Sequence, residues 1–476
     1  MDHHAVIWTR YLGTPKKLAS MVLMPSELRI TKTPEAIAAG LPGVSFLHDL
    51  AGLHQLNYPR TYVTRLPPQL RNLLPPANPG NPQRLIWTRA LARTIDLRGM
   101  DAMLQEWHLL LLAGRNGLGH LDVFADDDAA RAFYSRPALP QIADAAGASL
   151  WHAFRRLAEN DAVEEDVEAI IDAVGPTPGV SGFVPKLLVP IQISAADNRW
   201  SGAMFGAGAT PAIVKIGAYP GIVDLEELAY AFHRRAGIAT PRTWTTTLNH
   251  QGQALRLLAV ERFDRDAQGW PIPVETICSL LQTGNPNRYL STTDGTMETV
   301  AEVLGLDRLT ANPTQQKQGL FQRLVMALLT GNGDLHTENM ALYRHNGVIG
   351  QTPVFDPAPM RAYRGYPKNH DLLSALPFDG IGGANPERYN PYADSGSTPP
   401  DLRQHVLAFG KAIGLSSRYC AAEVARLCEV TADFAAQADA VMQAIPAHAQ
   451  KPHWPAIDGF QETIRQVRAA LDSVRR

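Results

Sequence analysis

The chain has 476 residues, 45% hydrophobic and 19% charged, the balance of an ordinary globular protein with room for two or three domains. A formal net charge of -2 gives no electrostatic reason for the chain as a whole to bind nucleic acid or a membrane surface. Cys278, Cys420 and Cys428 form neither a paired metal motif nor a disulfide framework and fit a reducing cytoplasm; the opening residues 1–13 lack the form of a signal peptide, and no run reaches the ~18 apolar residues of a membrane helix.

In chain order, Ala5–Gly13 and Lys17–Ile30 read as short strands joined at Gly13-Thr14-Pro15, a small β-rich unit. Residues 66–86 are rich in Pro and Asn and read as a surface connection. The text turns helical from Leu85 to Leu112, and the apolar run His108–Gly114 reads as buried helix. Residues 147–174 are helical and acidic and close at the breaker pair Gly175-Pro176. Glycines 175, 179 and 182 then precede a Leu-rich strand, where they would let the backbone approach phosphate oxygens. A Gly/Pro-rich hairpin is the commoner cause of such a string, and no Walker GK[ST] follows.

The strand Pro211–Gly217 carries Lys215 in the middle of an apolar run, a place where lysine ordinarily points outward from an edge strand. Leu225–Gly237 reads as an amphipathic helix with Glu226 near its start. A strand lysine followed by a helical glutamate is the pair that holds the α- and β-phosphates in kinases. Strands Arg242–Leu248 and Ala254–Val260 follow, the second running into Glu261-Arg-Phe-Asp-Arg265, where a kinase-like small lobe would pass to the large one.

Further on, an apolar helix over Phe321–Leu329 stops at Gly331, and a polar loop presents Asp334, His336 and Asn339. Two strand-like segments turn at Asn346-Gly347, and Asp356 closes the second. Aspartate, asparagine five residues on, then aspartate after a hairpin is the order base, Mg2+ ligand, Mg2+ ligand of eukaryotic-type kinases. Phosphoryl transfer needs hard oxygen ligands and one carboxylate near the attacking hydroxyl, which these residues supply. Solvated turn residues would read the same in isolation; the lysine and glutamate upstream favour a phosphotransfer site. A Gly/Pro/Asn/Tyr loop over 379–400 and helices over 401–414, 421–445 and 459–474 complete the chain.

Taken together, these pieces resemble the HipA-like family of bacterial serine/threonine kinases, the toxin halves of HipBA-type toxin-antitoxin pairs. The matching strings are Val180–Lys186, Ile213–Ile216, Ala236–Pro241, Leu258–Arg265, Gly331–Asn339 and Val354–Pro357, in the family's order. Arg71–Pro75 and Gly114–Gly119 look like its N-terminal subdomain. The resemblance implies an α+β, protein-kinase-like bilobal fold. It would have a small β-rich N-terminal subdomain (1–146), a nucleotide-binding small lobe with a Gly-rich loop (147–265) and an all-helical catalytic C-terminal lobe (266–476), helical apart from the catalytic hairpin.

On the same resemblance Val180, Ser181, Gly182, Lys186 and Lys215 would contact the phosphates of ATP, and Glu226 would pair with Lys215. The backbone of Glu261, Arg262 and Phe263 would receive adenine. Asp334 would be the base, Asn339 and Asp356 would hold Mg2+, and His336 would support the loop or simply cap it. Three positions depart from the family: Glu338 stands where lysine is common, Gly179 where some members autophosphorylate a serine, and Leu225 where a polar residue is usual. The implied activity is an ATP- and Mg2+-dependent serine/threonine kinase acting as a growth-arresting toxin on a protein such as an aminoacyl-tRNA synthetase. A small helix-turn-helix antitoxin would restrain it, and DNA would be met only through that antitoxin. The alternatives are a catalytically weak nucleotide-binding regulator, which Glu338 favours, and a small-molecule kinase. A metallohydrolase built on Asp334, His336 and His370 lacks a ligand-spaced motif. Specificity would sit in loops 266–319 and 365–400.

Overall fold

A computed structural model describes residues 2–60, 66–75, 81–135, 152–153, 156, 186–204, 209–217, 220–250, 253–282, 295–363, 372–383, 398–445 and 459–472. The acidic helix expected over 147–174 and the glycine string at 175–185 lie outside these residues, apart from isolated positions of the former.

At the N-terminus β1 (His3–Thr9), β2 (Lys16–Leu23), β3 (Glu27–Lys32), β4 (Gln55–Pro59) and β5 (Asp122–Phe124) form an antiparallel sheet of order β4-β3-β2-β1-β5. The single run expected over Lys17–Ile30 is two strands, because Pro25 sits in a turn closed by the Met24 amide on the Glu27 carbonyl at 2.8 Å. The expected helical text likewise divides into Pro82–Ala92 and Ala102–Ala113. Asp101 starts the second by accepting from the Leu104 amide at 2.9 Å. Trp87, Leu91, Met103, Trp107 and Leu110 share one core with Ile7, Leu18, Met21 and Ile30 of the sheet.

Residues 66–75 are not the surface connection expected. Leu66, Leu70, Leu73 and Leu74 are buried in that same core, and Pro68–Arg71 is a short helix. Prolines suggested a solvated loop, but four leucines in nine residues carry more apolar area than a surface segment can leave in water.

The second sheet holds β6 (Lys186–Ile193), β7 (Trp200–Met204), β8 (Thr210–Ile216), β9 (Thr243–His250) and β10 (Gln253–Glu261) in the order β7-β6-β8-β10-β9. Its two faces separate cleanly, as alternation requires. Leu187, Val189, Ile191, Val214 and Leu257 pack on one side. Leu188, Ile213, Leu258 and Val260 pack on the other, with the helix Ile222–Arg235. That helix starts earlier than the periodicity suggested, at Gly221, whose φ of 70° suits a residue without Cβ. Because β8 is the central strand, Lys215 is not the outward-pointing edge lysine that its sequence context suggests.

The large lobe is built on the helix Pro313–Thr330, which is buried along most of its second half and ends at Gly331 with φ 74°. The hairpin β12 (Ala341–His345) and β13 (Val348–Gln351) turns at Asn346 and Gly347, with φ of 50° and 79°. A third strand, β11 (Val274–Thr276), pairs with β12, so the lobe is not wholly helical; three residues gave no period to read. Helices Leu402–Ala412, Ser417–Val430 and Phe460–Asp472 pack against the central helix, and Phe434–Gln443 packs against Phe460–Asp472 and the helix Ile222–Arg235. The single helix expected over 421–445 is two, with Thr431 turning its hydroxyl back onto the Leu427 carbonyl at 2.8 Å. Among the described residues no helix is long and apolar enough to cross a membrane.

Candidate active site

Gly331 ends the central helix, and the chain then folds into a tight polar loop. Asn332, buried, accepts the Asp334 amide at 3.0 Å. A Cβ on Gly333 would come within 2.3 Å of the Leu372 carbonyl oxygen, so this position admits only glycine without rearrangement. The His336 amide donates to the Asp334 carbonyl at 2.9 Å and the Asn339 amide to that of His336 at 3.0 Å. Asn339 Nδ2 closes the loop on the Asp334 carbonyl, also at 2.9 Å, which spends the amide nitrogen and leaves the carboxamide oxygen as its ligand atom. His336 Nδ1 accepts the Glu338 amide at 3.2 Å, and its Nε2 stands 3.8 Å from Asp334 Oδ1. The histidine therefore builds the loop while lying beside the proposed base.

The Asp334 carboxyl is pushed above its ordinary pKa, desolvation outweighing the opposing pull of His336, although 54% of the side chain is exposed. A raised pKa suits a group that must take up a proton.

Opposite the loop stand two lysines. Lys215 and Lys186 are register partners on β8 and β6 and are 4% and 3% exposed, figures that ionised lysines reach only when paired. Lys215 Nζ donates to Glu226 Oε1 at 2.5 Å and also to Asp356 Oδ1. Lys186 Nζ reaches Asp356 Oδ2 at 3.4 Å. Burial alone would lower the pKa of Lys215, but the Asp356 and Glu226 carboxylates outweigh it and hold the group charged. For Lys186 burial prevails and the pKa is lowered. Burial would raise Asp356, yet the two ammonium groups hold it well below the carboxylate range. Asp356 has φ 56°, and its amide donates to the Tyr230 hydroxyl at 3.1 Å.

At the lobe junction the amides of Glu261 and Arg262 are taken by the carbonyls of Arg242 and Pro211, at 2.9 and 3.0 Å. The Phe263 amide has no backbone acceptor among the described residues, and its ring stacks on Phe355 with centroids 5.1 Å apart. The Arg262 side chain turns away from the cleft. It grips Asp264 with Nε and Nη2 at 2.9 and 2.7 Å and donates to the carbonyls of Asn116 and Gly117 at 3.0 and 2.5 Å. Gly119 and Arg265 complete the knot on Asp264, whose carboxyl is pulled down to about 2 because the two guanidiniums outweigh its burial. The side chains of Arg262, Asp264 and Arg265 thus serve to bind the N-terminal subdomain.

These parts meet in one cleft of about 550 Å³ lined by Lys186, Lys215, Glu338, Asn339 and Asp356, with Ile213, Val260 and Phe355 as its apolar wall. Glu226 lies behind Lys215, and Asp334 and His336 adjoin on the loop. Val180, Ser181, Gly182 and His370 lie outside the described residues. Asn72 and Leu118 from the N-terminal subdomain, Thr276 from β11, Tyr230 and the apolar wall of Ile213, Val260 and Phe355 are not among the site residues expected from the sequence. Arg71–Pro75 and Gly114–Gly119 carry no local signal that ties them to a cleft shared with residues far along the chain.

Among the described residues no three His, Cys, Asp or Glu side chains are grouped so as to hold a metal by themselves. Mg2+ at a nucleotide site draws on one or two protein oxygens and on the phosphates, so Asn339 and Asp356 fit it as donors. Lys186 and Lys215 put positive charge against the same Asp356 carboxylate.

Residues 179–440 match the family model of the HipA-like C-terminal domain. Y4dM of Sinorhizobium fredii, described as a kinase by inference, is 27% identical over 236 residues, 46% of this chain and 51% of that protein. A Haemophilus influenzae protein described in the same way is 25% identical over 190 residues, 37% of this chain and 51% of its own. The chain thus spans about half the length of the curated relatives it matches. Among solved structures, HipA of Shewanella oneidensis, from a complex with HipB and operator DNA, aligns over 96% of this chain and 95% of its own with a TM-score of 0.59 at 17% identity, a likeness of fold.

Proposed function

The chain belongs to the HipA-like C-terminal domain family, and from that premise we propose that it is an ATP- and Mg2+-dependent serine/threonine protein kinase. The carrying observation is Lys215, buried on the central strand, joined to Glu226 and Asp356, and facing a loop that presents Asp334 and Asn339. In this reading Lys215 and Lys186 hold the phosphates, Asn339 and Asp356 hold the metal, which neutralises phosphate charge, and Asp334 takes the proton of the acceptor hydroxyl. Val180, Ser181 and Gly182 would cover the phosphates. The backbone of Glu261–Phe263, where the Phe263 amide has no backbone acceptor among the described residues, would receive adenine beside Ile213, Val260 and Phe355, which line the cleft.

The biological role we attach to this activity is that of a cytoplasmic toxin that arrests growth by phosphorylating a cellular protein such as an aminoacyl-tRNA synthetase. A small DNA-binding antitoxin would restrain it, as the HipB-bound state of the Shewanella oneidensis relative suggests by analogy. One observation favours a second reading: Glu338 lines the cleft with a negative charge beside the phosphates, which suits a nucleotide-binding regulator of low activity. Incubation of the protein with labelled ATP, Mg2+ and a cell lysate separates the cases. A labelled protein supports the kinase; a labelled metabolite moves the acceptor to small molecules. Bound nucleotide without transfer favours the regulator, and absence of both binding and transfer removes the proposal.

A further inference from the structure

The N-terminal subdomain meets the catalytic lobe along a seam of side-chain hydrogen bonds. Asn72 Nδ2 donates to Thr276 Oγ1 at 2.9 Å, Arg71 Nη2 to Gln282 Oε1 at 3.2 Å, and the Phe46 amide to Glu275 Oε2 at 2.7 Å. The residues that receive these bonds are themselves coupled to the catalytic loop. Thr276 pairs with Ala341, the Ile277 amide donates to the Met340 carbonyl at 2.8 Å, and the Cys278 amide to that of Thr337 at 3.1 Å. Asn339 lies between these two anchors. Asn72 and Thr276 also line the cleft together with Glu338 and Asn339.

A strand of three residues paired on one side is marginal by itself, so what fixes β11 must come from tertiary contacts. We propose that Asn72 is a positioning residue: through Thr276 it fixes the segment that holds Asn339 in the cleft, which makes the N-terminal subdomain a working part of the site. Thr276 is suited to pass this on. Its hydroxyl oxygen accepts both the Asn72 amide and, at 3.2 Å, the backbone amide of Ser279, so one atom ties the subdomain to the start of the helix Ile277–Gln282. A leucine at 72 would fill nearly the same volume and donate nothing.

Amide hydrogen exchange on the full chain tests this without reference to activity. Asn72→Leu and Thr276→Val should speed exchange over residues 334–341 by roughly threefold to tenfold, the equilibrium equivalent of a partly buried hydrogen bond. Thr276→Ser, which keeps the hydroxyl, should leave it at the wild-type rate, and the double variant should be no faster than Thr276→Val alone, which also removes the acceptor of the Ser279 amide. The central helix Pro313–Thr330 serves as the internal control. A second arm rests on the proposed kinase activity: kcat for MgATP turnover should fall in Asn72→Leu by a similar factor while KM for ATP holds. Unchanged loop exchange in both single variants overturns the inference, and so does acceleration spread evenly over the central helix. If the wild type turns over no ATP, the kinase reading fails, and the exchange data still decide the role of Asn72.

Discussion

Lys186 and Lys215 stand directly opposite each other on neighbouring strands, and both ammonium groups end on the two oxygens of Asp356. Two buried like charges are tolerated there because Asp356 and Glu226 supply two carboxylates within the same few ångströms. The group is balanced, so removing any one member leaves a buried charge uncompensated.

Lys215→Met should therefore destabilise the protein as well as weaken nucleotide binding. Breaking a buried pair costs about 3–5 kcal/mol, much of it from the partner left behind, and Glu226 is 2% exposed. Adding Glu226→Gln should recover part of the stability and none of the ATP affinity. Denaturant unfolding of the two variants checks the first statement, and calorimetry with MgATP the second; equal stability of both variants would refute the argument.

Asp334→Asn should leave the fold intact and remove phosphotransfer. The loop is held by the Asp334 carbonyl, which the substitution keeps, so melting should not shift. Loss of a general base costs roughly 10²- to 10⁴-fold in turnover. Wild-type ATP turnover in the purified variant would show that Asp334 is not the base.

For the metal, Asp356→Ala should abolish the Mg2+-dependent part of ATP binding, since it removes the only carboxylate of the proposed donor pair. The same substitution frees Lys186 and Lys215, so metal-free ATP should bind no worse than to the wild type. Calorimetry that finds wild-type ATP affinity equal with and without Mg2+ refutes the assignment.

How much of this was written in the sequence depends on distance along the chain. The Asn346-Gly347 hairpin and the helix stop at Gly331 were legible because each depends on a residue's own backbone preference. Lys215 was legible as a residue type but not as a buried one, since burial follows from β8 being central, and strand order is not a local property. Residues 66–75 read as a loop from their prolines, while the four leucines among them are buried, a fate that depends on the sheet they pack against. The contacts of Asn72 with Thr276 and of Arg262 with Gly117 join residues 204 and 145 positions apart, where pattern carries no signal.

The knot at Asp264 predicts a stability effect with no change in chemistry. Its carboxylate is fully buried between Arg262 and Arg265, so Asp264→Ala leaves two guanidiniums without their shared partner. A loss of about 3–5 kcal/mol follows. Unfolding measurements should also show the N-terminal subdomain loosening first, because the amide of Gly119 loses its acceptor. A loss below about 1 kcal/mol, the range of exposed pairs, would contradict the argument.

Glu275 gives the last prediction, a dependence of stability on pH. It is 5% exposed and faces the Phe46 amide, Ser45, Ser279 and the carboxylate of Asp49. Burial pushes its carboxyl up to about 7, against 4.5 for the ordinary group, with the donors only partly opposing. A folded-state pKa above the unfolded one means that the folded protein holds the proton more tightly between those values. The stabilisation is complete below about pH 4.5, declines as the pH rises, and is gone above about pH 7, a total of about 3 kcal/mol. Glutamine at 275 cannot ionise, so the variant should lack this decline. Unfolding free energies of wild type and Glu275→Gln at about pH 4 and pH 8 should diverge by that amount, the wild type losing more as the solution becomes alkaline. Parallel changes in the two proteins would mean that Glu275 keeps an ordinary pKa in the seam.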